Sequence, residues 1–244
     1  HAQVLEVTNA PPITPQNLIT NIFLGDGVEV LSVTYEGSSN AVGFFKDGQV
    51  AVGMERGIVM TTGRAVTQGF QFGVAEAGSV QASVDNGSNV MDPDMEAIAG
   101  GEQVFNVTKY IITFIPIADT LRFRYAFGSE EYPEYVCSDF NDIFGFFISG
   151  PGINGHYQNN AANIALIPGT NLPVRINNVN PGQVGAAGQP ENCNPPRGSL
   201  SYSQYYNDND GSGMMPVYDG ITDVFTAEAI VQPCQIYTIK LVIC

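Results

Sequence analysis

The 244-residue chain has no tryptophan, two histidines (His1 and His156), and nine Lys and Arg against 24 Asp and Glu. Each scarcity excludes something. A protein that neutralises phosphates needs clustered Lys and Arg. None cluster here and the formal charge is −15, so nucleic acid is not an expected partner. A His-based triad or zinc site would rest on His156 alone, in the Gly- and Asn-rich turn GINGHYQNN, where a solvated histidine is expected. Neither a G-x-S-x-G nor a P-loop pattern is present. No stretch approaches the roughly 20 apolar residues of a membrane span, so no membrane insertion is expected. The opening His1-Ala2-Gln3 has no charged or apolar leader, so a secreted form is expected to have shed its signal peptide already.

Cysteines are few as well. Cys137, Cys193, Cys234 and Cys244 show no CxxC or Cys/His spacing, which argues against zinc and suggests an oxidising compartment. Residues 235–243 (QIYTIKLVI) read as a strand, which at about 3.3 Å per residue would hold Cys234 and Cys244 roughly 30 Å apart. A disulfide needs Cα atoms within about 7 Å, so these two are not expected to pair with each other.

What the chain does have is 27 Gly, 15 Pro, 14 Phe and 11 Tyr, with 44% apolar and only 14% charged residues. Long Lys/Glu-rich helical stretches are absent, and the composition reads as many short strands joined by turns. One short N-terminal helix is expected. Thr14 caps it, Pro15 suits its first position, Leu18, Ile19, Ile22 and Phe23 share a face, and Gly25 stops it. Strands are expected at 28–35, 57–62, 104–117, 121–127, 143–149, 163–167, 174–179, 201–206, 221–229 and 235–243. In LRFRYAF the alternation is of period two, and IFGFFIS is apolar on both faces, as a central strand would be. Residues 181–199 and 207–216 read as long loops. The expected fold is an all-β sandwich, jelly-roll-like, forming one domain over 1–244.

The most unusual stretch is 128–142, GSEEYPEYVCSDFND, between two expected strands. It holds Glu130, Glu131, Glu134, Asp139 and Asp142 with no Lys or Arg inside, and Ser129, Ser138 and Asn141 add neutral oxygens. Like charges this dense repel unless water screens them or a cation gathers them. Tyr132, Tyr135 and Phe140 suggest that the segment packs down. Calcium takes six to eight oxygens in flexible geometry, so a calcium site is expected at Glu130, Glu131, Asp139, Asn141 and Asp142. The plainer alternative is a solvated acidic loop paired to Arg122 or Arg124.

The run FGSEEYPEYVCSDFNDIFGFFISGPG resembles the signature of the choice-of-anchor L domain, a module of bacterial secreted and surface proteins. LITNIFLGDGVEVLSVTYEG, GIVMTTG, NIALIPGTNLPVRINNVNPG, YDGITDVFTAEAIVQPC and YTIKLVI match in order, so the resemblance spans nearly the whole chain. It implies an extracellular β-rich domain and no particular ligand. Members run past the strand matching YTIKLVI into an acidic turn and a final strand. The chain stops at Cys244, so that strand is expected to be missing, with completion by a neighbouring chain as the alternative. Within this reading Cys137, in the acidic loop, is expected to pair with Cys193, in the long loop. Cys234 and Cys244 are left for intermolecular or other pairing.

Weaker signals have plain readings. Asn207-Asp208-Asn209-Asp210-Gly211 lacks the first ligand and closing Glu of a calcium loop and reads as a turn. In Met91-Asp92-Pro93-Asp94-Met95-Glu96 an Asp capping a helical turn is expected, with Asp92 or Asp94 joining a cation site as the alternative. Asn86-Gly87-Ser88 and Asn106-Val107-Thr108 match the glycosylation pattern by coincidence, and Asn106 is expected in a strand. A glycosidase needs two converging carboxylates. Glu130 and Glu131, if extended, point to opposite faces.

The functional expectation is a non-enzymatic, extracellular structural or adhesive module on the bacterial surface, able to assemble into a fibre or layer. Its partners would be copies of itself or other surface proteins. The alternative is a calcium-dependent glycan-binding module using Tyr157, Asn159, Asn160, Tyr202, Tyr205 and Tyr206.

Overall fold

In the computed structural model, residues 4–10, 13–25, 27–66, 74, 85–209 and 216–244 are described. Their strands are β1 (Glu6–Thr8), β2 (Val28–Glu36), β3 (Val42–Lys46), β4 (Arg56–Met60), β5 (Thr108–Pro116), β6 (Thr120–Tyr125) and β7 (Gly128–Ser129). Then follow β8 (Phe144–Ser149), β9 (Ala162–Asn163), β10 (Tyr206–Asp208), β11 (Gly220–Thr222), β12 (Phe225–Ile230) and β13 (Tyr237–Ile243). The short helices are α1 (Pro15–Leu18), α2 (Gln49–Val52) and α3 (Pro93–Ile98).

The most apolar segments make the centre of the largest sheet, ordered β2-β5-β13-β8-β9, with every pair antiparallel. In β13, Ile239 lies opposite Ile112 of β5 on one side and Ile148 of β8 on the other. A strand flanked on both sides and covered on both faces reads as a near-continuous apolar run, which accounts for YTIKLVI apart from Thr238 and its single lysine. Tyr237, Ile239 and Leu241 turn to one face with Tyr110, Ile112, Phe114, Phe146 and Ile148, all buried. Over them lie the paired β6 and β12 through Leu121, Ala227 and Ala229, together with Val42 of β3 and Leu18 and Ile19. This is the sandwich core, and each large side chain fully buried in it contributes about 1.5–3 kcal/mol. The opposite face of the sheet, with Phe147 and Val242, is closed by Met95 and Ile98 of α3 and by Val104 and Val107. A third cluster, at one end, gathers Tyr132, Val136, Ile176, Val179, Phe225 and Ile243.

The N-terminal helix starts as the sequence suggests: the Thr14 hydroxyl accepts the Asn17 N–H at 3.2 Å, and Pro15 opens the first turn. From Ile19 to Phe23 the coil widens to a π-turn, closed by the Leu24 N–H on the Ile19 carbonyl at 3.1 Å. Three expected strands are corrected. Of 163–167 only Asn163 belongs to a strand, β9, with Leu166 in an isolated bridge to Pro173, and Ser203–Tyr205 is a 3₁₀ turn ahead of β10. The buried run 174–179 makes one isolated antiparallel bridge, Arg175 to Ile143, and then turns over 176–178. There asparagine side chains take the bonds a ladder would have used: Asn178 donates to the Pro173 carbonyl at 2.8 Å, and Asn180 to those of Ile176 and Ser199 at 3.0 Å. Asn106 lies before β5, not in a strand, with φ 52°.

Candidate functional site

The acidic segment begins on β7, which pairs with β11 and then gives way to turns over 130–137. Tyr132 anchors it. Its ring is fully buried against Tyr206, 5.0 Å between centroids, and its hydroxyl donates to the Val179 carbonyl at 2.5 Å. Gly220 makes room for that ring, since a Cβ there would stand 2.5 Å from Tyr132 Cδ2. The segment is clamped to the 181–199 loop. Cys137 and Cys193 are disulfide-bonded with Cα atoms 5.2 Å apart. The Ala187 and Gln189 N–H groups donate to the carbonyls of Glu134 and Cys137 at 2.9 and 2.8 Å. Gly185 permits this approach, because a Cβ there would lie 2.3 Å from the Pro133 carbonyl oxygen. Asn177, from the run before that loop, holds the acidic segment as well: its Oδ1 accepts the Cys137 N–H at 2.6 Å, and its Nδ2 donates to the Ser138 carbonyl at 2.9 Å.

The five residues expected to hold a cation divide into two groups. Glu131 and Asp142 face one another beside Ser129, whose hydroxyl donates to Asp142 Oδ2 at 2.6 Å and accepts the Glu131 N–H at 3.0 Å, while Glu130 has Asp219 as its charged neighbour. Glu130 Oε1 and Glu131 Oε2 are out of solvent with no hydrogen-bond partner. Asp139 and Asn141 are engaged elsewhere: Asp139 Oδ1 accepts Asn192 Nδ2 at 3.0 Å, and Asn141 Oδ1 accepts the Asn177 N–H at 3.1 Å. Because the chain turns at Glu130, the two adjacent glutamates do not diverge as extended residues would. Both line one groove of about 1280 Å³, together with Asp142, Arg175, Phe105 and Phe140.

Burial without a counter-charge shows in the carboxyls. Burial first, and then Asp142, push Glu131 from 4.5 up to about 8. Burial, and then Asp219, do the same to Glu130, while burial raises Asp142 from 3.8 to about 6. Neither arginine suggested as a partner serves: Arg122 pairs with Glu228 at 2.7 Å, and Arg124 donates to the Gly53 carbonyl at 3.1 Å. The set is all oxygen, the donor type a hard cation takes, but it is not preassembled. Among the described residues no three His, Cys, Asp or Glu side chains already surround a metal position.

The remaining candidates are placed as follows. Asp92 caps α3, its Oδ1 accepting the N–H groups of Asp94 and Met95 at 3.1 and 3.2 Å. Both Asp92 and Asp94 meet the Lys240 side chain, Asp92 also lies 3.5 Å from Lys109 Nζ, and neither joins the acidic groove. Asn86 Nδ2 is used within the fold, on the Asn106 carbonyl at 2.7 Å. Tyr157, Tyr205 and Tyr206 pack on Phe147, Phe225 and Tyr132, and Tyr202 packs against the end cluster, while Asn159 and Asn160 are exposed. His156 is exposed in its turn. Cys234 is a free, exposed thiol. Cys244 is free and partly buried, and extends the β13–β8 ladder through its carbonyl, which accepts the Ile143 N–H at 2.9 Å. His1, Asp210 and Gly211 lie outside the described residues. Lys240 and Arg175 were not singled out from sequence. The signal for Lys240 was a lone charge in an otherwise apolar strand. For Arg175, inside PVRINNVN, there was none.

An antiparallel sandwich with an acidic segment strapped to one end by a disulfide defines a β-rich module, with the groove as its most distinctive surface. The choice-of-anchor L domain matches residues 6–244, and the chain belongs to that family. Membership makes it a bacterial surface-associated module, and the family is not a known enzyme family. No curated protein and no solved structure matches the chain. Among the described residues, no helix is long and apolar enough to cross a membrane.

Proposed function

We propose that the domain is an extracellular structural or adhesive module, and that a calcium ion drawn in by Glu130, Glu131 and Asp142 fixes its acidic groove. The observation that carries this reading is the pair of glutamate oxygens, Glu130 Oε1 and Glu131 Oε2, that are out of solvent without a partner. An ionised carboxylate so placed is costly unless a positive charge compensates it. The main-chain clamps on either side keep the segment from swinging its carboxylates out to water. A cation therefore lowers the free energy of the folded state and orders the rim with which the module meets other surface proteins or its own copies.

Thermal unfolding with calcium, and then with excess chelator, tests the cation. Binding to the folded state alone adds about 2.7 kcal/mol at a hundredfold excess over Kd, roughly 5–10 °C for a chain of this size. The shift should vanish in Glu131→Gln, and an unmoved midpoint in the wild type rejects the cation. Sedimentation velocity in calcium and in chelator then reads self-association. A second reading, glycan binding, is favoured by Phe105 and Phe140, which are 65% and 64% exposed and line the same groove. Binding on a glycan array that is lost in Phe140→Ala would establish it, and a silent array would remove it.

A further inference from the structure

The Lys240 side chain is 14% exposed, and those of Asp92 and Asp94 are 2% and 5% exposed. Its Nζ lies 2.7 and 2.8 Å from the two Asp92 carboxylate oxygens and 2.5 Å from Asp94 Oδ2. Phe147, fully buried, covers the ammonium with its ring centroid 4.7 Å away, and Tyr157 packs edge-on to that ring. A buried ion pair often fails to recover its desolvation cost, so binding energy alone is a weak reason for this arrangement. The same arrangement is well suited to chemistry. A primary amine is held at contact distance from one carboxyl group, with a second carboxylate beside it to carry protons, in a site that excludes water.

We propose that Lys240 and Asp92 condense to an intramolecular isopeptide bond, with Asp94 as the proton carrier. Asp94 takes a proton from the ammonium, and the neutral amine attacks Asp92 Cγ, forming the C–N bond. Asp92 Oδ1 stays held by the N–H groups of Asp94 and Met95, which face the charge that develops on it. Lys109 Nζ, 3.5 Å from Asp92 Oδ2 and 2.9 Å from Glu36 Oε2, supplies positive charge on the other oxygen. Asp94 passes the protons from nitrogen to Oδ2, the Cγ–Oδ2 bond breaks, and water leaves. One ammonium and one carboxylate become one amide and one water, Asp94 ends ionised, and nothing is oxidised or reduced. Fixing amine and carboxyl in one site raises their effective concentration to the order of 10⁵–10⁸ M, which drives a condensation that dilute solution does not support. The bond ties the central strand β13 to the segment that opens α3, across a sequence separation of 148 residues.

The test is the intact mass of the whole purified chain after reduction of its disulfide. The expected mass is below that of the sequence by one water, and digestion should release a branched peptide joining the stretches around Asp92 and Lys240. Asp94→Asn keeps both reacting groups and should restore the full mass. Lys240→Arg keeps the charge and should do the same. A wild-type chain at its full sequence mass overturns the proposal, whatever the variants do. So does water loss carried on a linear peptide, which marks a cyclic imide, and a branch through Asp94 overturns the assignment of roles.

Discussion

Two groups of carboxylates in this domain sit in opposite surroundings. Asp92 and Asp94 lie under the central sheet with the Lys240 nitrogen against them, and backbone N–H groups take Asp92 Oδ1. Glu130, Glu131 and Asp142 lie in an open groove with a hydroxyl, turned loops and no cationic side chain bonded to them among the described residues. The first group is complete within its own fold. The second has no such partner among the described residues. Where a protein compensates a buried charge itself, that charge supports the architecture. Where it does not, the site is open to a ligand.

The largest effect should come from unbalancing the complete group. Lys240→Met removes the nitrogen that meets both aspartates, whether as an ion pair or as the proposed amide, leaves Asp92 only Lys109 at 3.5 Å, and is expected to cost about 3–5 kcal/mol in urea unfolding. A loss below about 1 kcal/mol would show that water reaches the pair, and the contrast between the two regions would fail. Next is the strap on the open group. Cys137→Ser with Cys193→Ser should cost about 2–4 kcal/mol. Hydrogen exchange should rise over 128–142 and 181–199 and not across β13, and uniform exchange would mean that the groove is not a separate unit.

The smallest effect sharpens the comparison through pH. In chelator, Glu131 has a folded-state value raised from 4.5 to about 8. The folded form therefore holds a proton that the unfolded chain releases, so this contribution is complete below pH 4.5 and is lost as pH rises toward 8. The midpoint of the chelated protein should fall over that window. Calcium should flatten the fall and Glu131→Gln should lessen it, Glu130 and Asp142 being raised as well, and a flat profile in chelator would show the glutamates to be fully solvated.

The period-two alternation of LRFRYAF and the apolar runs at 143–149 and 235–243 placed β6, β8 and β13, because a strand in a sandwich declares its faces. The acidic density of 128–142 likewise pointed to the groove. Other parts were hidden for physical reasons. The run 174–179 is as buried as a strand, yet its own Asn177 and Asn178, with Asn180 beside them, bond the backbone in turns, which apolar periodicity cannot reveal. Strand β3, in AVGFFK, was missed because its alternation is broken by Gly43. The pairing of Lys240 with Asp92 depends on strand order, since nothing local links residues so far apart. The turn at Glu130, which brings two adjacent glutamates into one groove, is set by Tyr132 reaching Val179 and not by the sequence around Glu130.

The place of β13 also governs the order of assembly. Residues 237–243 follow every other strand of the largest sheet in sequence, yet they insert between β5 and β8. Until they have been synthesised, those two strands have no shared neighbour and both expose unpaired backbone edges. The sheet thus cannot form piecemeal from the front of the chain, and its closure depends on non-local pairing, the slow kind. A nascent chain of this design remains open to a chaperone, and to threading through a narrow translocation pore, until its central strand arrives.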